Sequence, residues 1–359
     1  MKLSLEDNPR HVLLFFKDYE VDRFVPGDRY VKRLVRPLYN RLHHRQKVTG
    51  FGVSFDMLCR GLAAAGYVVH RNDHALARAN PDYPVGLIGG QALLDGWSLP
   101  NPAILGPSIY DQPGQAPHLF DDPRFRRYLC LADWMYDLFE TGYPGRCVTW
   151  FAGIDAQAWP DLSREPKDLD FLIYDKVRWE HDHYQTALID PVLRELDERG
   201  LSYATIRYKH HDHETFRALL GRAKGLLFLC ENETQGIAYQ EAMASGVPVL
   251  AWDRGWWADP QWREHFEAAP WASSVPYFSK ACGEVFVGAA DFGAQLDSFL
   301  ARWDGYRPRD YVIQNLGLAR SGEIYARAYF GLLGSAGAAG SGSESFTASA
   351  TKITQRMSL

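Results

Sequence analysis

Short runs of consecutive apolar residues alternate with longer amphipathic stretches along most of the chain. Such runs are typical of parallel strands that are buried on both faces. The amphipathic stretches, for example 53–65 and 187–196, have the period of helices that bury one face. This alternation predicts an α/β fold with parallel sheets. The predicted strands are 11–16, 67–72, 85–90, 103–108, 146–151, 170–175, 203–208, 225–230 and 248–253.

The predicted strands fall into two groups, which indicates two sheets and two domains. The segment between the groups contains two prolines and several charged residues, as a linker would. We therefore predict a first domain over 1–158, a linker over 159–167 and a second domain over 168–330. Residues 334–345 are Gly, Ala or Ser except for Glu344. This composition cannot bury enough apolar surface to fold and predicts a disordered tail over 331–359.

Composition narrows the functional classes. The length of 359 residues suits two domains, since one domain takes about 100–200 residues. A net charge of −5 argues against a nucleic-acid partner. The N-terminus lacks the apolar run of a secretory signal, and no stretch approaches the roughly 20 apolar residues of a membrane span. The five cysteines are widely spaced without a C-x-x-C, which predicts buried thiols of a cytoplasmic protein.

A basic segment over 23–47 carries eight lysines and arginines against Asp28 alone. Its apolar residues recur every four positions from Tyr30 to Leu42, although Pro37 interrupts the pattern. A basic amphipathic helix is typical of a membrane-surface element. We predict that it attaches the protein peripherally to the anionic inner membrane face, or guides an anionic or lipid-linked acceptor. A solvated helix packed on the first domain is the alternative.

The stretch 225–253 reads as strand, polar turn, helix, glycine and strand. Glu233 lies in the turn, and Gly236 is expected to permit close approach of a ligand to the backbone. The helix is predicted to begin after Gly236, and Glu241 follows one turn inside it. The free N–H groups and the dipole at a helix N-terminus favour an anion such as phosphate. Glu241 is expected to point back toward the same crevice, where two carboxylates could hold hydroxyls of a sugar and a ribose. An acidic surface loop is the alternative interpretation.

This stretch resembles the E-x7-E region of the retaining glycosyltransferases with the GT-B fold, family 4 type. The matching residues are Glu233, Gly236 and the run from Glu241 to Val249, EAMASGVPV. Residues 153–159 and 49–52 resemble further parts of that family. The resemblance implies two Rossmann-like domains facing a cleft, and sugar transfer with retention of configuration to an unidentified acceptor. It also implies a nucleoside-diphosphate sugar as the donor, with no cofactor and no metal.

The resemblance further implies roles for individual residues. Glu241 would hold the ribose and Glu233 the donor sugar. Lys176 and Arg178, which follow the first strand of the second domain, would neutralise the donor pyrophosphate. Glu233, Lys176 and Arg178 are therefore the predicted catalytic residues. The predicted donor-binding residues are Glu241, Gly236, Ile237, Gln235, Thr234, Gly52 and Gly50, the last two in a glycine-rich turn ahead of a helix.

The acceptor-side catalytic residue stays open. Many relatives carry a histidine after the fourth strand, whereas 103–111 contains none. Ser108, Asp111 and His118 are the nearest candidates. The missing histidine leaves open a non-catalytic nucleotide-sugar-binding or scaffold protein. The shared architecture also leaves open a sugar-nucleotide epimerase or a phosphorylase. The phosphorylase is less favoured, because the sequence shows no lysine motif for a pyridoxal cofactor.

Several other residues have the types that bind metals or sugars. The closely spaced histidines in 181–183 and 210–213 cannot all point at one ion, so helix capping by Asp212 is the simpler prediction. We also predict a structural role for the acidic triplet 168–170. The tryptophans at 252, 256, 257 and 262 are expected in the core, with stacking on a sugar or base as the alternative.

Overall fold

The computed structural model describes residues 2–3, 10–17 and 50–332. The basic segment 23–47 and residues 333–359 of the predicted tail lie outside these ranges, so the predictions about them stay predictions.

A parallel six-stranded sheet forms the first domain, with the strand order β2-β1-β3-β4-β5-β6. The strands are β1 His11–Phe16, β2 Val68–Arg71, β3 Val85–Ile88, β4 Ala103–Leu105, β5 Phe125–Cys130 and β6 Cys147–Thr149.

A second parallel sheet forms the core of the second domain, with the order β11-β10-β9-β7-β8. Its strands are β7 Leu169–Lys176, β8 Tyr203–Arg207, β9 Ala223–Cys230, β10 Val249–Trp252 and β11 Gly283–Phe286. The chain order changes direction at β7, which lies between β8 and β9. In open parallel sheets, ligands bind outside the carboxyl ends of the strands at such a point.

Helices connect the strands and cover both sheets. The α-helices are α1 Gly50–Ala64, α2 His74–Ala79, α3 Asp133–Glu140, α4 His181–Tyr184, α5 Asp190–Glu198, α6 His213–Arg222, α7 Ile237–Ala244, α8 Ala289–Ala301, α9 Pro308–Asn315 and α10 Leu318–Phe330. A π-helical segment, Gln185–Ile189, joins α4 to α5. Short 3₁₀ turns occur at Gln91–Leu93, Pro113–Gln115, Leu119–Asp121, Pro260–His265 and Trp303–Gly305. Within the described ranges, no helix combines the length and apolar character needed to cross a bilayer.

The predicted α/β fold with two parallel sheets is confirmed, and each predicted strand has a counterpart with slightly different ends. Strands β5 and β11 were not predicted, because each contains charged residues. Arg126 and Arg127 lie within β5. Glu284 of β11 is buried, and it accepts hydrogen bonds from Arg302 Nη1 at 2.6 Å and from the Tyr306 hydroxyl at 3.2 Å.

The last helix crosses back to the first domain, so the predicted second domain over 168–330 needs correction at its end. Helix α10 buries Tyr325 and Tyr329 in the core of the first sheet. The Tyr329 hydroxyl accepts a hydrogen bond from the amide of Leu13 on β1 at 3.0 Å. Leu332, predicted to belong to the disordered tail, is also buried in this core. The segment 159–167 joins the sheets and packs on the second domain, where the Leu162 amide donates to a carbonyl after α7.

All five cysteines are buried and unpaired, as predicted for thiols without a metal or redox motif. Burial raises the pKa of Cys59 and Cys282 to about 11. Thiols with such pKa values are almost entirely protonated at neutral pH, and they react slowly because the thiolate is the nucleophile.

Candidate functional site

Two loops meet at the carboxyl ends of β7 and β9. These strands are parallel neighbours, and Lys176 at the end of β7 lies opposite Cys230 at the end of β9. The polar residues that directly follow each strand therefore come together. Arg178 lies on the first loop, and Glu231 and Glu233 lie on the second. The structure thus brings together the three residues predicted as catalytic, Lys176, Arg178 and Glu233.

Lys176 and Glu233 form an ion pair with little access to solvent. The Lys176 Nζ contacts Glu233 Oε1, and the two side chains are 14% and 9% exposed. Burial alone would lower the pKa of Lys176, but the charge and hydrogen bond of Glu233, together with the charge of Cys230, outweigh burial and the pKa is raised. The ammonium is therefore charged at neutral pH. Because an ammonium group has three donors, it can bind Glu233 and a second anion together.

Arg178 pairs with Glu231, which sequence reasoning missed. Glu231 is completely buried. Its Oε1 accepts the backbone amides of Arg178 at 2.7 Å and Trp179 at 2.9 Å, and its Oε2 lies 3.4 Å from Arg178 Nε. One carboxylate thus fixes both the loop and its cation. The signal was available, since Glu231 is the first polar residue after a buried strand.

Glu233 is held by its backbone as well as by its side chain. Its amide donates to the carbonyl of Ser273 at 2.8 Å, within the second domain. Its carbonyl accepts the indole N–H of Trp134 at 2.8 Å, and Trp134 belongs to α3 of the first domain. Sequence reasoning missed Trp134, because nothing in the local sequence around a buried tryptophan indicates a partner 99 residues away.

Helix α7 begins directly after Gly236, as predicted, but the reason for the glycine differs from the expected one. Gly236 has φ +76°, which favours glycine. A Cβ at this position would lie 2.0 Å from the ring of Tyr239. The space that we expected to admit a ligand is therefore filled by Tyr239. The helix N-terminus remains beside the loop that carries Glu233.

The side chain of Gln235 makes its contacts within the protein, and its predicted role in donor binding stays a prediction. It is buried, and its Oε1 accepts the amide of Ala152 in the first domain at 2.9 Å. Its Nε2 donates to Gln240 Oε1 at 2.8 Å. Gln235 therefore ties the turn to the other domain, and a donor contact would have to use its backbone. Thr234 and Ile237 are partly exposed.

Glu241 lies on α7 against the first residue of α6. Both of its carboxylate oxygens lie 3.3 Å from His213 Nε2. Burial raises the pKa of Glu241, although His213 partly offsets this. The hydrogen bond to Glu241 in turn raises the pKa of His213. Burial raises the pKa of Tyr174 on β7, and the charges of Glu233 and Glu241 add to this shift.

The two glycines predicted to form a turn ahead of a helix lie inside the helix instead. Helix α1 begins at Gly50, so Gly50 and Gly52 occupy its first turn. A contact with the donor or acceptor from these positions would come from N-terminal helix amides. Their predicted donor-binding role stays a prediction.

The three acceptor-side candidates occupy different environments. Desolvation and then the charge of Asp259 in the second domain raise the pKa of Asp111, which is an exposed residue. Ser108 has φ +70°, a backbone conformation that serine rarely adopts. His118 is an exposed residue whose Nδ1 lies 3.1 Å from Asp121. The charge of a second-domain carboxylate therefore acts on Asp111.

The residues with metal-ligating types have structural partners. Asp212 caps α6 by accepting the amide of Thr215 at 2.7 Å. In the triplet 168–170, Asp168 pairs with Arg222 at 2.6 Å and Asp170 with Lys224 at 2.8 Å. Among residues 2–3, 10–17 and 50–332, no three His, Cys, Asp or Glu side chains are grouped to hold an ion. Of the four tryptophans, Trp252 and Trp262 are buried and Trp256 is exposed.

Comparisons with known proteins support the fold. No model of a protein family matches the chain, and no curated protein sequence matches it either. Among solved structures, it is similar to AviGT4, a glycosyltransferase involved in avilamycin A biosynthesis, with a TM-score of 0.50 and 14% identity over 91% of this chain and 99% of that one. It is also similar to the apo form of the lipopolysaccharide outer core galactosyltransferase WaaB, with a TM-score of 0.50 and 9% identity over 92% and 99%. These likenesses show a GT-B fold, as the sequence resemblance implied.

Proposed function

We propose that this protein is a glycosyltransferase that moves a sugar from a nucleoside-diphosphate sugar to an acceptor, with retention of configuration and without a metal. The observation that carries the proposal is the group of charges at the carboxyl ends of β7 and β9. Lys176, Arg178 and Glu233 meet there, beside the N-terminus of α7, and Glu241 lies on the same helix. The similarity in fold to two glycosyltransferases is consistent with this proposal.

In this proposal the donor binds mainly to the second domain. Glu241 accepts hydrogen bonds from the ribose hydroxyls, and Glu233 accepts them from the donor sugar. As the bond between the sugar and the diphosphate breaks, negative charge develops on the departing diphosphate. Lys176, Arg178 and the amides at the start of α7 stabilise that charge. Because these groups are already oriented by protein contacts, little reorganisation is needed during the reaction.

The acceptor in this proposal enters from the first domain. Asp111 is our candidate for the acceptor-side group, because desolvation and the charge of Asp259 in the second domain raise its pKa. A group with a raised pKa is suited to exchange a proton with an acceptor hydroxyl.

The experiment that tests the proposal is a thermal-shift screen with UDP, GDP, ADP, TDP and CMP, each alone and as its sugars. A ligand at 100 times its Kd stabilises a protein by about 2.7 kcal/mol. We expect one nucleotide to raise the Tm of the wild type and of the control Glu198→Ala, an exposed carboxylate on α5. The same nucleotide should not shift Glu241→Ala. Absence of a shift with every nucleotide would contradict the donor site.

Turnover separates the enzyme from the second candidate, a non-catalytic nucleotide-sugar-binding protein. The lack of a histidine in 103–111 favours that candidate. We expect the wild type to transfer sugar in the presence of EDTA and Glu233→Gln to bind the nucleotide without transfer. Nucleotide binding by the wild type without turnover on any acceptor pool would favour the binding protein instead. Inversion at the anomeric carbon of the product, observed by NMR, would contradict retention.

A further inference from the structure

One short segment of the first domain contacts the second domain at three points. The segment runs from Leu131, after β5, to Asp137 in α3. The Leu131 carbonyl accepts the hydroxyl of Tyr277. The Trp134 indole donates to Glu233 O at 2.8 Å, and Asp137 Oδ2 accepts the indole N–H of Trp271 at 2.9 Å. The first domain therefore bears directly on the loop that carries the proposed donor-site carboxylate.

Trp134 is the member of this segment that reaches the site itself. Its side chain is 2% exposed, and its ring centroid lies 6.1 Å from that of Trp257 in the second domain. Indole nitrogen is a donor only, so its geometry fixes where the accepting carbonyl must lie. The Glu233 amide is bonded on the opposite side to Ser273 O. The backbone of Glu233 is thus hydrogen-bonded to both domains.

We propose that Trp134 is a positioning residue that sets the place of Glu233, so that its carboxylate meets Lys176 at the donor site. The link is mechanical: the indole bond fixes the carbonyl, and the Lys176 contact depends on where that backbone lies. A change in the position of the first domain then moves the Glu233 carboxylate. The expected effect of Trp134 on the rate of transfer rests on the proposed function. Its effect on the position of the turn that carries Glu233 does not.

A purely structural role would give a different result. Trp134 also packs in the core of the first domain, and any smaller side chain would lose that packing. The variants must therefore be compared with a tryptophan that has the same burial and also an indole hydrogen bond, but no contact with Glu233. Trp252 fits these conditions, since it is 2% exposed and donates to Val287 O at 2.9 Å inside the second domain.

The first measurement is hydrogen–deuterium exchange of the peptide spanning 229–236 in the full-length protein without ligand. In Trp134→Phe, we expect roughly tenfold faster exchange in this turn, as the loss of one buried hydrogen bond would give. In Trp252→Phe the turn should exchange as in the wild type. Should Trp134→Phe fail to fold, Trp134→Tyr is the larger replacement that also lacks the indole donor. Equal exchange of this turn in the Trp134 and Trp252 variants overturns the proposal.

The second measurement is transfer kinetics with the nucleotide sugar identified by the thermal-shift screen. We expect Trp134→Phe to lower kcat by about 10- to 100-fold, as displacement of a reacting group does, while the donor KM changes by less than about threefold. Trp252→Phe should keep the wild-type kcat. An unchanged kcat in Trp134→Phe overturns the proposal. A wild type that binds no nucleotide contradicts the proposed function instead, and the exchange measurement then decides on Trp134 alone.

Discussion

Replacement of Lys176 by methionine tests whether the ion pair at the site is a true buried pair. Methionine keeps most of the volume of the lysine stem but removes the charge. Glu233, whose side chain is 9% exposed, then loses its cationic partner in a place with little water. We expect a marked loss of stability, because an unpaired buried charge is far more costly than a neutral pair.

The size of the loss follows from the surroundings. Breaking a buried pair costs about 3–5 kcal/mol. Arg178 lies close enough to interact with the Glu233 charge, so we take the lower limit of about 3 kcal/mol. For a domain of about 150–250 residues, 1 kcal/mol shifts Tm by about 2–4 °C. Lys176→Met should therefore lower the Tm by about 6–12 °C.

Differential scanning calorimetry at neutral pH measures this shift, with two further variants for comparison. Lys224→Met breaks the more exposed pair with Asp170, in which the lysine is 43% exposed, and should cost less than about 1 kcal/mol. The double variant Lys176→Met/Glu233→Gln leaves no charge of the pair and should recover most of the lost Tm. If Lys176→Met melts within about 2 °C of Lys224→Met, water reaches Glu233 and the reasoning from burial is wrong.

Three further outcomes can be measured on the same protein. Burial raises the pKa of Glu241 above its ordinary value of 4.5, so nucleotide affinity measured by calorimetry should fall as the pH drops through that raised pKa. Glu241→Gln should remove this pH dependence, and an unchanged profile in Glu241→Gln would exclude Glu241 as the titrating group. Gly236→Ala should destabilise the protein by at least about 1–3 kcal/mol in thermal unfolding, since φ is +76° there and a Cβ would meet a tyrosine ring; an unchanged Tm would mean that the turn can shift at little cost. Ellman's reagent should label few of the five buried cysteines in the native protein and all of them after denaturation, and rapid native labelling would contradict their burial.

The apolar runs predicted the fold well where a strand is apolar on both faces, and less well elsewhere. Strand β11 was missed because Glu284 interrupts its apolar pattern. That carboxylate is buried and pairs with Lys280, four residues earlier, and with Arg302 and Tyr306, which follow later in the chain. A search for apolar runs registers the charge at this position but not the groups that satisfy it. The same limit applies to β5 with its two arginines.

The position of α10 shows a second limit of sequence patterns. An amphipathic pattern predicts that one face is buried, but it does not say against which domain. The helix backbone approaches α1 so closely at Gly322 that a Cβ would lie 2.2 Å from Gly61 O. This contact joins two glycines far apart in sequence. Each is unremarkable within its own helix, so the domain crossing could not be predicted from either segment.

For the site, the family resemblance and the polar residues at the ends of predicted strands together indicated one side of it. Lys176, Arg178 and Glu233 lie at or shortly after the ends of buried strands, and parallel neighbours bring such residues together. Trp134 and Gln235 act instead through contacts across the domains. Such contacts depend on how the domains are placed, which no local pattern encodes.

The charges at the site are already paired, and this bears on how it would bind a diphosphate. Lys176 faces Glu233, and Arg178 faces Glu231. The attraction of the two cations for a phosphate is therefore partly offset by the carboxylates that they already contact. In return, both cations are held in place before the donor arrives, and the fully buried Glu231 cannot leave its loop without losing two backbone amides. Paired cations of this kind contribute less to donor affinity than unpaired cations would. They stabilise the charge that develops on the diphosphate without first having to reorganise. This condition favours binding of the transition state over binding of the ground state.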